Sequence, residues 1–251
     1  MKVAGVGFCC VDVYEKLGKC YPTGNGIDFV IHLSRFGIQT TVVSVVGNDP
    51  YGTMMVDTLC KEGIDTSRLR VAEGETAVFK MDLNENDRVH GELIEGVMKH
   101  FYLNEEDLTF IQEHDYLHTD LFGKIIDLLP LFRKKGVSII FDFSRFLENK
   151  DVDFILPHVD YAFFSYERHD SYIIAYMKWA KRFGPKIVTV TLGQNGSLAY
   201  DGENMYRQDI VPVQVINTVG AGDSFIAGFM YGVMNNHDKC TYAPYFLRRY
   251  L

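Results

Sequence analysis

The sequence predicts an α/β protein: a mostly parallel sheet covered by helices on both faces, with a small separate β-sheet. Three observations predict it. Short β-branched apolar runs alternate with segments of helical spacing along most of the chain. Gly, Asp and Asn stand where many of those runs end. Between residues 69 and 95 the rhythm changes to alternating apolar and polar residues, as in Ala77-Val78-Phe79-Lys80-Met81-Asp82-Leu83. That is the pattern of paired antiparallel strands.

The bulk properties set limits. The 251 residues suit a single α/β domain over 1–251, and a 47% hydrophobic share is enough to fill its core. Net charge is -8, and the 25 basic residues are scattered, which argues against a nucleic-acid partner. Five cysteines, an odd number with no C-x-x-C among them, read as reduced thiols in a cytoplasmic protein. Met1-Lys2 leads straight into a strand, without the apolar stretch of a secretion signal. No apolar run reaches membrane-spanning length, so no membrane partner is expected. Asn195-Gly196-Ser197 fits a glycosylation pattern that means nothing without secretion. Neither an internal repeat nor a low-complexity segment is visible.

Residues 3–8 form the first buried strand. Gly5-x-Gly7 begins a dinucleotide fingerprint, but Cys10 occupies the third glycine position and no helix follows at once. Asp12 comes off this strand, where an Asp usually makes a local turn. Gly24-Asn25-Gly26 opens a helix with apolar positions at Ile27, Val30, Ile31, Leu33 and Phe36, closed by Gly37. Residues 41–46 are a strand, followed by a turn and a helix over 54–61. Residues 13–20 and 69–95 supply the small sheet, with a turn at 84–87. Asn104 to Asp107 cap the next helix. A strand at 116–118, a helix at 121–134 and a strand at 137–141 follow, the last closing on Asp142. His114 and His118 have metal-like spacing, but the segment turns into a strand, so they read as satisfied structural histidines. Further strands fall at 158–164, 186–191, 197–200, 205–208 and 211–216, with a helix at 170–183.

The chemistry concentrates at Asn217-Thr218-Val219-Gly220-Ala221-Gly222-Asp223-Ser224. Glycines precede an apolar helical run from Phe225 to Met230. Such a helix start presents free backbone N–H groups and the positive end of the dipole, which holds anions. Asp223 lies in the first turn, where the dipole favours an ionised carboxylate able to take a proton. The pair suits phosphoryl transfer: Asp223 as base, and the amides of Gly220, Ala221 and Gly222 on the phosphoryl oxygens. A dipole-friendly cap is the plainer reading of the same residues. No G-x-x-x-x-G-K-[ST] occurs, so this is not a P-loop kinase.

Asn217 to Asp223, with Gly24-Asn25 and Thr191-Leu192-Gly193-Gln194-Asn195-Gly196, resembles the ribokinase/PfkB family of carbohydrate kinases over residues 1–235. The resemblance implies a ribokinase-like three-layer α/β/α sandwich in which the small sheet is a lid, often paired between two subunits. It implies ATP, Mg2+ and a sugar whose primary hydroxyl is phosphorylated. Asp12, Gly24, Asn25 and Asp28 would bind the sugar, with Arg88 within reach of it. Thr191, Gly193 and Gly196 would approach the nucleotide. The stretches 36–39, 86–98 and 222–229 carry a closer likeness, to members that act on a sugar amine.

Departures from the family pattern also stand in the chain. Thr23 replaces a Gly, and Asp28 replaces an Asn; an ionised Asp only accepts hydrogen bonds, which suits a substrate carrying donors or a positive amine. Ser165-Tyr166-Glu167-Arg168 replaces Asn-x-x-Glu, leaving Glu167 as the nearby carboxylate for magnesium. Residues 236–251 are short and irregular for the family, with Pro244 against a continuous helix, so a thin adenine wall and weak ATP binding are expected. These departures keep open a catalytically weak or inactive sugar-binding protein on the same fold. Gly5-x-Gly7 keeps open a nicotinamide oxidoreductase.

Overall fold

A computed structural model describes residues 1–84, 87–212 and 220–235, with the side chains of 83, 84 and 87–90 outside the description. In chain order it contains β1 (Lys2–Val6), β2 (Cys10–Tyr14), β3 (Lys19–Thr23), α1 (Asn25–Arg35), β4 (Gln39–Gly47), α2 (Pro50–Lys61) and β5 (Asp65–Ala72). There follow β6 (Val78–Asn84), β7 (Asp87–Ile94), α3 (Glu105–Ile111), β8 (Tyr116–Asp120), α4 (Leu129–Lys134), β9 (Ser138–Asp142) and α5 (Val152–Ile155). The chain continues through β10 (Tyr161–Ser165), α6 (Ser171–Lys181), β11 (Ile187–Thr191), β12 (Ser197–Tyr200), β13 (Met205–Gln208) and α7 (Ala221–Met234).

The large sheet runs β13-β12-β11-β10-β9-β8-β1-β4-β5. From β11 to β5 all neighbours pair in parallel, and β12 and β13 close the edge antiparallel. Parallel strands need crossover helices, and these bury both faces of the sheet. Consecutive residues of β10 make the layering visible. Phe163 meets Phe229 of α7 edge-on at 5.4 Å, while Phe164 meets Tyr176 of α6 at 5.2 Å. Side chains alternate across a strand, so α7 and α6 lie on opposite faces. On the α7 side, α1 packs beside it, with Phe36 and Tyr231 ring centroids 4.7 Å apart. Two glycines let the chain approach closely around β1. A Cβ on Gly5 would stand 2.5 Å from the Gly26 carbonyl oxygen of α1, and one on Gly7, at φ +114°, would stand 2.4 Å from Gly123 Cα. Gly5-x-Gly7 therefore seats a helix and a loop. The fold reads as the expected three-layer sandwich.

The small sheet is β3-β2-β6-β7. Its outer pairs are antiparallel, and β2 runs parallel to β6. The expected segment 69–95 divides: residues 69–72 belong to β5, paired to β4 in the large sheet, and the small sheet takes up only at Val78. Asp12 sits inside β2, opposite Tyr21 and Phe79, and is 4% exposed. It is a strand residue, where a loop residue was expected. The helix expected over 121–134 begins at Leu129, because residues 121–125 form the loop that leaves β8. The cap expected at Asn104 is present in full: Asn104 Oδ1 accepts from Asp107 N at 2.8 Å, and Asp107 Oδ2 accepts from Asn104 N at 3.1 Å. Residues 213–219, most of the strand expected at 211–216, and the tail 236–251 lie outside the described residues. No helix among the described residues is long and apolar enough to cross a membrane.

Candidate active site

The site forms at the C-terminal edge of the parallel strands, where ligands of such sheets bind. Helix α7 begins there. Its N-cap Gly220 is left-handed at φ 68°, a conformation glycine adopts freely, and it turns the chain sharply into the helix. Among the described residues, a Cβ built on Gly220, Gly222 or Gly193 would meet nothing within 4 Å. These backbones face open space of the kind a phosphoryl group needs, with the first amides of α7 still without helical partners. Residues Ala221, Gly222, Thr191, Gly193, Gly196 and Glu167 all line one cleft of about 1330 Å³. The cleft also takes in Arg145 and Phe146 from the loop after β9, and Ser165 at the end of β10. Ser165 Oγ and Thr191 Oγ1 share a hydrogen bond of 3.0 Å across β10 and β11. Asn195 Nδ2 donates to the Glu167 carbonyl oxygen at 2.9 Å and holds that loop against the turn after β11.

On the other side of Asp223 lies an acid-lined floor. Gly24 caps α1 at φ +140°, and a Cβ there would stand 2.4 Å from the Phe8 carbonyl oxygen, so only glycine fits. Asn25 Nδ2 donates to Asp142 Oδ2 at 3.1 Å. Asp28, in the first turn of α1, accepts from Thr23 Oγ1 at 2.6 Å. Asp142 ends β9 and accepts from Ser144 N at 2.7 Å, with Ser144 left-handed at φ 51°. Asp120 ends β8 opposite Asp142 in the strand register. The floor thus brings together Asp28, Asp120, Asp142 and Asp223.

The electrostatics differ from the expectation for Asp223. Burial, and then the negative charges of Asp28, Asp142 and Asp120, push its carboxyl well above the ordinary carboxylate range. These effects outweigh the helix dipole that was expected to keep it ionised. Burial and Asp142 push Asp120 up to about 7, and burial pushes Asp142 up to about 6. A raised carboxyl is a stronger proton acceptor once ionised than an ordinary carboxylate.

Asp120, Asp142, Arg145 and Ser165 were not singled out in the sequence as site residues. Their signal was available, since an Asp at the C-terminal end of a parallel strand faces the ligand edge. Arg88 lies on β7 opposite Leu83, with its side chain outside the description. Among the described residues no group of three or more potential ligands surrounds a metal position. The histidines divide. His114 Nδ1 bonds the Phe110 carbonyl oxygen at 2.9 Å, as a structural histidine should. His118 does not meet that expectation: it is fully buried, stacked 4.1 Å from Phe29, with neither ring nitrogen hydrogen-bonded among the described residues. Burial pushes it down to about 3, which keeps it neutral.

An open anion cradle beside a carboxylate, reached from a long cleft, is the arrangement of a phosphotransferase. Residues 10–124 and 155–241 match the pfkB family carbohydrate kinases, and the chain belongs to that family. It is 40% identical over 230 residues to fructoselysine 6-kinase of Escherichia coli strain K12, covering 92% of this chain and 88% of that one. It is 33% identical over 248 residues to fructosamine kinase FrlD of Bacillus subtilis strain 168, covering 97% and 87%. The Arabidopsis thaliana ribokinase structure complexed with ribose and ATP superposes with a TM-score of 0.83 at 19% identity, over 98% of this chain and 89% of that one. The chain is an ATP-dependent sugar kinase, which sets the oxidoreductase reading aside.

Proposed function

We propose that this protein transfers the terminal phosphoryl group of ATP to the primary hydroxyl of a fructosamine, with fructoselysine as the model substrate. The observation that carries the reading is Asp223 at the glycine-led start of α7, between the long cleft and the acid-lined floor. The named activities of the relatives at 40% and 33% identity support the substrate class.

In this reading the sugar lies over Asp12, Gly24, Asn25 and Asp28, with Arg88 approaching from β7. Its primary hydroxyl points at Asp223, which takes the proton as the oxygen attacks phosphorus in line. The amides of Gly220, Ala221 and Gly222 hold the phosphoryl oxygens. Nucleotide phosphates and ribose lie against Thr191, Gly193 and Gly196. Mg2+, when bound, would supply charge neutralisation to the phosphates. Glu167 is the carboxylate of the cleft that would hold it, and a single protein ligand suits an ion that keeps its waters and phosphate oxygens. The small sheet serves as the lid, and two subunits pair through it. Nothing in the geometry of the described residues favours the non-catalytic alternative.

The test is nucleotide depletion across a panel of fructose, ribose, fructoselysine and other fructosamines, with the phosphorylated carbon located by NMR. Turnover fastest with a fructosamine, at its primary hydroxyl, is expected. Turnover of ribose or fructose in preference to every fructosamine would sink the substrate assignment.

A further inference from the structure

The acid-lined floor holds one oxygen that the sugar reading leaves unused. Asp120 is 3% exposed, and its Oδ1 accepts from Phe122 N at 2.9 Å. Its Oδ2 is buried and accepts no hydrogen bond among the described residues. Asp28 on this floor is engaged by Thr23, and Asp142 by Asn25 and Ser144. Alternation along β8 places Asp120 on the same face as His118, which stacks on Phe29 of α1. Asp120 therefore faces the layer of α1 and α7, where the other three carboxylates converge. A buried carboxylate oxygen without a donor is costly, and among like charges it is costlier still. The missing complement is a positively charged donor.

A second feature stands beside it. Phe122, two residues past Asp120, is 48% exposed, and Phe146 is 38% exposed. Phe8, Phe122 and Phe146 follow β1, β8 and β9, so they line up along the same sheet edge. Their rings touch in series, with centroids 6.1 Å apart for Phe8 and Phe122 and 5.9 Å for Phe122 and Phe146. An aromatic row, exposed at Phe122 and Phe146 and half-buried at Phe8, beside a carboxylate is an unusual surface for a polar sugar, and it matches an alkyl chain that carries a cation.

We infer that Asp120 receives the positively charged nitrogen of the sugar-amine substrate, and that Phe8, Phe122 and Phe146 form the wall along which the substituent on that nitrogen lies. The inference rests on the fructosamine reading and adds to it which residues distinguish a fructosamine from fructose. Asp28 was the sequence candidate for this task, but its carboxylate already accepts the Thr23 hydroxyl. A charge-assisted bond from a secondary ammonium to Asp120 leaves the sugar ring free to present its primary hydroxyl elsewhere.

The experiment compares kcat/KM for fructoselysine, 1-amino-1-deoxyfructose and fructose in the wild type and in Asp120→Asn, Asp28→Asn and Phe122→Ala. Where fructose is not turned over, its inhibition constant against fructoselysine replaces its kcat/KM. Asp120→Asn should reduce the preference for both amines over fructose by about 10–100-fold. Phe122→Ala removes only an exposed ring, so the fold stands. It should reduce the preference for fructoselysine over 1-amino-1-deoxyfructose by about 3–10-fold. Equal losses on amine and fructose in Asp120→Asn overturn the inference, as does a loss of preference in Asp28→Asn alone. A wild type that turns over no amine sugar overturns the fructosamine reading itself, and is recognised before any variant is made.

Discussion

Ser224 Oγ lies 2.8 Å from His32 Nε2, a hydrogen bond that ties the first turn of α7 to the last turn of α1. The two helices carry Asp223 and Asp28, so this bond sets the spacing between the proposed base and the sugar floor. Burial, with help from Arg35, pushes His32 below its usual range, so the ring is neutral at pH 7. Ser224→Ala should lower kcat about fivefold, the worth of about 1 kcal/mol, with KM for the sugar within twofold. Steady-state kinetics check it; a change confined to KM would show that the bond does not position Asp223.

Asp223→Asn keeps the shape and removes the proton acceptor. Turnover should fall by about 10²–10⁴-fold while sugar binding, followed by calorimetry, persists. Near-normal turnover would remove Asp223 from the chemistry.

The charges facing Asp223 are Asp28 of α1, Asp120 of β8 and Asp142 of β9, and all of them raise it. As a base Asp223 must be ionised, so each neighbour moves the acidic limb of the rate profile to higher pH. Asp28→Asn removes the charge with the largest effect on Asp223 and should move that limb to lower pH. The readout is the ratio of kcat at pH 6 to kcat at pH 8, which should rise. A ratio that stays constant or falls rejects the coupling.

The buried acids also set a stability profile. Asp120 is raised to about 7 from an ordinary value near 3.8. Below pH 3.8 it is protonated in both folded and unfolded chains and contributes no pH dependence. As pH rises towards 7, the unfolded chain releases the proton and the folded chain keeps it, so folding loses free energy. Asp120→Asn lacks that loss and should gain about 2–4 kcal/mol over the wild type at pH 8 relative to pH 4.5. Urea melts at the two pH values give the comparison, and an equal difference at both contradicts it.

Asp160 makes the opposite case at the far end of the sheet. It is 3% exposed, its Oδ2 accepts from Ile139 N at 2.9 Å, and Arg133 and Lys186 pair with it at 2.5 and 3.0 Å. Asp160→Ala leaves the buried Ile139 amide without its acceptor, while Arg133 and Lys186 reach solvent, and should cost about 1–3 kcal/mol of stability. Because it sits at the N-terminal edge of β10, away from the site, kcat at 25 °C should be unchanged. A kcat change would reveal coupling across the sheet.

The large sheet was legible because buried parallel strands read as continuous apolar runs, and residues 186–191, 197–200 and 205–208 fall almost where β11 to β13 lie. The candidate anion cradle was legible because Gly220 and Gly222 stand directly before a helical apolar run in the sequence. The loop after β8 was not: Leu121 and Ile125 look helical in spacing, while the turn is set by Asp120 and a left-handed Lys124 at φ 57°. Asp120 and Phe122 were passed over for the same reason. What marks them is an oxygen without a donor and rings without cover, and neither exists until strands far apart in sequence meet. The Asp223 pKa direction was missed because a helix dipole is local, whereas Asp28, Asp120 and Asp142 converge only through the fold.

Gly5, Gly7 and Gly24 bear on how this chain could be retargeted. Each touches backbone from a distant segment at a distance no Cβ tolerates. Phe122 and Phe146, by contrast, are 48% and 38% exposed. A mutational library aimed at new amine substituents should therefore hold positions 5, 7 and 24 constant and randomise 122 and 146. Tolerance and selectivity would then be sampled independently, so a clone with altered preference need not be a clone with damaged folding.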